Sequence, residues 1–177
     1  FLYTGKSKIL IKNPSNTARI KSLLKKYPTA KFIHIYRNPI FVYLSTLKFF
    51  SELFPSVNLQ NIDNETLKKL IIYNYKEIYK DFYNHKNLIP KGNLLELKFE
   101  DFRKNPSLYL KDIYKMIGLK FKKDDLNELS SFLDKQKKHK MNRYKIDKNT
   151  LKIIIKEFKF SLKKMKYDIP SNIKVIN

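Results

Sequence analysis

The stretch KFIHIYRNPIFVYLST, residues 31–46, decides the fold. Its first six residues are rich in β-favouring side chains and predict a strand over 31–36. Asn38-Pro39 then supplies a helix N-cap followed by proline at the first helical position, which predicts a helix running to about Phe50. Arg37 stands where the one gives way to the other. A guanidinium there lies beside the unsatisfied backbone N–H groups of a helix N-terminus, a natural site for an anion. Among 38 basic residues only Arg19, Arg37, Arg103 and Arg143 are arginine. The planar fork of arginine matches a phosphate as lysine does not, so arginine at this position points to a phosphate ligand. The structural alternative is an ion pair. Eight residues on, Ser45 interrupts an otherwise apolar and aromatic helix and offers a second donor; back-bonding to its own helix carbonyls is the alternative.

Working outward, KILIK (8–12) is a short strand candidate. SNTARIKSLLKKY (15–27) places Ile20, Leu23, Leu24 and Tyr27 at helical spacing behind a capping Ser15 or Asn16. Pro, Ser and Asn make 51–61 a loop. Asp63 opens a long helix, about 64–86, with apolar residues every three or four positions. A turn at Pro90-Lys91-Gly92 leads to a strand over 93–99, and a helix from Pro106 ends at Gly118. Helix 123–134 opens on Asp124-Asp125, where the helix dipole favours negative charge. A polar, strongly basic loop fills 134–147, and a last helix spans about 148–165. Strands separated by helices predict an α/β fold with a parallel sheet, since a crossover helix is the usual route back to a parallel strand. Ligands in such folds sit beyond the carboxyl ends of the strands, here 12–16, 37–45 and 99–102.

Composition narrows the function classes. The chain has 177 residues, 42% of them apolar or aromatic, enough for one domain with a real core. It lacks cysteine, which excludes disulfides, iron–sulfur clusters and thiolate zinc from these residues and suits a reducing, cytoplasmic setting. Three scattered histidines, His34, His85 and His139, argue against a metal site. No run of eighteen apolar residues occurs, and the first ten do not read as a secretory signal. The start without methionine suggests that the natural N-terminus lies outside this sequence. A formal charge of +22 favours anionic ligands, yet the lysines are strewn among Ile, Asn and Tyr along nearly every segment, as a bias of composition would leave them. Gly5-Lys6-Ser7 imitates part of a phosphate loop, but Gly5 precedes a strand candidate and lacks the earlier glycine that such a loop needs.

Three segments in order, ILIKNPSNTARIKSLLKKYPTAKFIHIYRNPIFVYLST, NLLELKFEDFRKNPSLYLKDIYKMIGL and QKKHKMNRYKID, resemble the bacterial-type branch of the sulfotransferase family, over about residues 9–167. The resemblance implies a single domain over 1–177 with a three-layer P-loop-like fold: a short parallel sheet flanked by helices, with a helix-rich C-terminal half. It implies transfer of a sulfonyl group from 3′-phosphoadenosine 5′-phosphosulfate to an acceptor hydroxyl or amine, without a metal. Arg37 and Ser45 then become ligands of the donor's 3′-phosphate. Lys12 matches the lysine of the family's KxP motif, near the reacting centre, where a cation would stabilise charge developing on the sulfonyl group or leaving phosphate. The basic loop resembles the family's donor-closing loop, with Lys137, Lys138, Lys140 and Arg143 as candidates to reach the donor phosphates and Asn142 and Tyr144 in a recurring NxY pattern. KFEDF (98–102) resembles a strand end where relatives carry tyrosine in place of Phe99. Two departures stand out: the family's N-terminal Gly-rich 5′-phosphosulfate loop is missing, and Asn16 stands where relatives commonly have histidine, an amide that cannot serve as a general base. The rival readings are a basic nucleic-acid or polyanion-binding module and a catalytically incomplete remnant, with nucleic acid the less favoured partner. The acceptor, whether carbohydrate, lipid, peptide or small molecule, is not legible.

Overall fold

A computed structural model describes residues 8–57, 59–136, 144–171 and 173–176. The expected strand over 31–36 is β1, Phe32–Tyr36, and that over 93–99 is β2, Leu94–Lys98. They pair in parallel and in register, from Phe32↔Leu94 to Tyr36↔Lys98. Between them run two helices, α2 (Pro39–Val57) and α3 (Asn64–His85), after the shorter α1 (Ile20–Lys26). The C-terminal half is helical as expected: α4 (Phe99–Lys104), α5 (Pro106–Met116), α6 (Lys123–Gln136), α7 (Lys148–Glu157) and α8 (Lys159–Met165). Asp63 caps α3, its carboxylate accepting from the Thr66 N–H at 2.9 Å, and Gly118 takes the left-handed φ of +71° just past α5. The chain is an α/β protein with short parallel sheets.

Four sequence expectations are corrected. Residues 8–12 form no strand; they run irregular and exposed, because no neighbouring strand among the described residues supplies the ladder that KILIK needs. The helix expected over 15–27 is two pieces, a 3-10 turn (Pro14–Ala18) and then α1, and the cap is Asn13, whose side chain accepts from the Ser15 N–H at 2.9 Å. The loop expected from 51 begins only after Val57. Pro55 falls in the last turn of α2, and the Phe50–Phe54 ring pair, 4.7 Å between centroids, packs that last stretch together. The last helix breaks at Phe158, which leaves helical geometry to bury its ring 4.3 Å from that of Tyr75. A second parallel pair, β3 (Lys145–Asp147) with β4 (Lys174–Ile176), went unpredicted; three residues are too few to show a period.

The main core joins Ile40, Tyr43 and Leu44 of α2 to Leu67, Ile71 and Tyr75 of α3 and to Ile154, Phe158 and Leu162 near the C-terminus. A smaller cluster of Ile20, Phe82 and Ile89 takes in Phe32 and Leu94, so one face of the β1–β2 sheet rests on α3. On the other face Ile35 is 48% exposed. By length and composition α2 is the one described helix apolar enough to cross a membrane, although its Ile40, Tyr43 and Leu44 lie in the main core. The fold therefore delivers Arg37 and Phe99 side by side, each the first residue beyond a paired strand.

Candidate functional site at the strand exits

Asn38 fixes the start of α2. It is buried, its Oδ1 accepts from the Ile40 N–H at 3.0 Å, and its Nδ2 donates to the Asp168 carbonyl at 2.8 Å. The first oxygen does the N-cap's ordinary work; the amide nitrogen ties the cap to the C-terminal chain. With Pro39 next, φ is fixed at the first helical position and one of the N–H groups that a helix start leaves unsatisfied is absent.

Arg37, half-buried, stands in front of that terminus. Its guanidinium carbon lies 5.1 Å from the Phe41 ring centroid and 4.8 Å from that of Phe99. Its Nε is buried without a hydrogen-bond partner, and no carboxylate pairs with it among the described residues. The ion pair that would make Arg37 purely structural is therefore absent there. A buried N–H left unbonded costs about 1–3 kcal/mol, a cost that native folds seldom carry without a reason. Ser45 sits partly exposed on α2. It lies one helical turn, about 6 Å of rise, beyond Phe41 on the same face, since four residues bring side chains into line.

The other candidates are placed differently. Lys12 is exposed in the irregular stretch before the 3-10 turn and has no partner among the described residues. Asn16 lies within that turn, its carbonyl accepting from the Arg19 N–H at 3.0 Å. The segment packs against α3. Lys137, Lys138, His139, Lys140, Asn142 and Arg143 lie outside the described residues, as does Gly5-Lys6-Ser7. The loop's far flank is described: the Tyr144 ring meets Phe41 at 6.1 Å. Glu100 and Asp101 occupy the first turn of α4, where the dipole favours them, and Glu100 also accepts a hydrogen bond from the Tyr167 hydroxyl. Burial first, and then that carboxylate, push the Tyr167 hydroxyl well above the usual tyrosine range.

A second polar group lies between β1, β2 and α3. His34, 8% exposed, faces Glu96 across the register, with its Nδ1 3.6 Å from the carboxylate, an electrostatic contact too long for a hydrogen bond. Lys86 reaches the same carboxylate at 2.8 Å. His34 and then Lys86 hold Glu96 down to about 2, against the opposing effect of burial. With Tyr36, Tyr83, Lys164 and Met165 these residues line a cleft of about 300 Å³. Among the described residues no three His, Asp or Glu side chains converge as metal ligands would.

Sequence reasoning missed Phe41, Phe99 and the second role of Asn38. Two signals could have found the rings: the four-residue spacing from Arg37 to Phe41, and the matching positions of Arg37 and Phe99 at two strand ends.

Comparison with known proteins identifies the family. The model of the sulfotransferase family matches residues 2–123, and the chain belongs to that family. It is 31% identical over 138 residues, 78% of its length, to omega-hydroxy-beta-dihydromenaquinone-9 sulfotransferase Stf3 of Mycobacterium bovis, and equally to that of Mycobacterium tuberculosis. The chain spans 36% of the length of those relatives. No solved structure matches it significantly.

Proposed function

We propose that the protein transfers a sulfonyl group from 3′-phosphoadenosine 5′-phosphosulfate to an acceptor hydroxyl, within a three-layer P-loop-like domain. The acceptor oxygen attacks sulfur in line, the bond from sulfur to the bridging phosphate oxygen breaks with its electron pair on the phosphate, and the acceptor's proton passes to a base. Adenosine 3′,5′-bisphosphate leaves. The donor brings its own activated group, so the protein's part is to position it and to stabilise charge. In this reading Arg37 and Ser45 hold the 3′-phosphate at the start of α2, and Lys137, Lys138, Lys140 and Arg143 close over the donor. Lys12 meets charge on the sulfonyl group; its support is the KxP resemblance and not its surroundings. A hydroxyl is preferred to an amine because the named acceptor of the mycobacterial relatives is an omega-hydroxy compound.

The single observation that carries the reading is Arg37: a guanidinium at a strand exit, without a carboxylate partner among the described residues, next to a capped helix N-terminus. The experiment is a calorimetric titration of adenosine 3′,5′-bisphosphate, with adenosine 5′-monophosphate as control, into the full-length protein. Arg37→Ala is expected to weaken the bisphosphate by about tenfold or more, as loss of a charge-assisted phosphate contact should, and to spare the monophosphate. Unchanged bisphosphate binding would remove the assignment. The formal charge of +22 favours a second reading, a polyanion-binding module. That module would show no preference for the bisphosphate over inorganic phosphate, and its affinity for long polyanions would fall steeply with salt.

A further inference from the structure

A guanidinium serves a phosphate well only if its fork already points at the site when the ligand arrives. Arginine side chains are usually fixed by a carboxylate or a carbonyl, and among the described residues Arg37 has neither: its Nε is buried and unbonded. Two phenyl rings lie against it, Phe41 at 5.1 Å and Phe99 at 4.8 Å. We propose that Phe99, together with Phe41, is a positioning residue that holds the Arg37 fork toward the donor's 3′-phosphate; the proposal rests on the donor reading above.

The backbone explains why those two rings arrive there. Parallel, in-register pairing ends at Tyr36↔Lys98, so the chain leaves both strands at the same level and residues 37 and 99 emerge as neighbours. Phe41 comes from the first turn of α2. The chemistry explains why rings suit the task. A carboxylate would fix the fork by occupying its N–H donors and cancelling its charge. A π-face attracts the cation while leaving the outer donors and the charge for a ligand. The adjacent Glu100 is engaged by the Tyr167 hydroxyl, so the first acidic side chain after Phe99 has a partner of its own. Phe41 in turn meets the Tyr144 ring, with 6.1 Å between centroids.

The test uses the full-length protein and two readouts. In titrations with adenosine 3′,5′-bisphosphate and adenosine 5′-monophosphate, Phe99→Leu is expected to lower bisphosphate affinity about five- to tenfold and leave the monophosphate unchanged. Phe99→Tyr, which keeps the π-face, should bind as the unaltered protein does. In the ligand-free protein, nitrogen NMR should show a single, slowly exchanging Arg37 Nε–H that becomes fast-exchanging in Phe99→Leu. Equal losses for both nucleotides, or no loss for either, would overturn the positioning role, as would a slow Nε–H that survives the substitution. If instead Arg37→Ala leaves bisphosphate binding intact, the donor reading itself has failed, while the NMR result still reports whether the rings hold the guanidinium.

Discussion

At the scale of single residues, the charged groups around the β1–β2 pair differ in how they are satisfied. Arg37 is steadied by rings and keeps its charge free, whereas Glu96 is held ionised by His34 and Lys86. The second arrangement has a pH signature. The folded-state value of Glu96 is about 2 against an ordinary 4.5, so its contribution to stability is complete above pH 4.5 and is lost as pH falls toward 2. Glu96 is partly exposed, so solvent screening reduces its worth to about 1–2 kcal/mol. Glu96→Gln should lose that amount at pH 7 in urea unfolding and should flatten the acid limb of the stability profile between pH 4.5 and 2. An unchanged acid limb would show that the group does not titrate abnormally.

At the scale of elements, helix ends decide most of what the fold does with this sequence. The N-caps at Asp63 and Asn38 and the stop at Gly118 were legible because their side chains and backbone preferences act locally. The extension of α2 past its expected end and the break at Phe158 were not, because both depend on which rings pack together in the folded core. The C-terminal end of α8 is a weak point of the design. Lys166 adopts the left-handed φ of 54°, a conformation that costs a side chain-bearing residue free energy and that glycine takes readily. Lys166→Gly should raise stability by about 0.5–1 kcal/mol, read as a higher urea midpoint with an unchanged slope. A lower midpoint would mean that the lysine makes a compensating interaction.

At the scale of the whole molecule, the β1–Arg37–α2 unit could be read from sixteen residues because strand propensity, N-cap and proline follow one another without interruption. Family resemblance extended that reading to about residues 9–167, and the match over residues 2–123 bears out the family. Lys12 could not be located from sequence, since KILIK has strand composition but lacks a partner strand among the described residues. Nor could the link between Asn38 and Asp168, because a separation of 130 residues leaves no trace in any local pattern.

That link makes the start of α2 answerable to a segment 130 residues further along. An amide donor is what the Asp168 carbonyl requires, so Asn38→Asp, which keeps the capping oxygen but sets an acceptor against an acceptor, should cost about 1–2 kcal/mol and expose the tail to proteases. If proteolysis and unfolding are both unaltered, the tail is anchored elsewhere. If they change together, the helix start beside Arg37 and the segment around Asp168 act as one cooperative piece, and a nick near Asp168 would be felt where β1 ends.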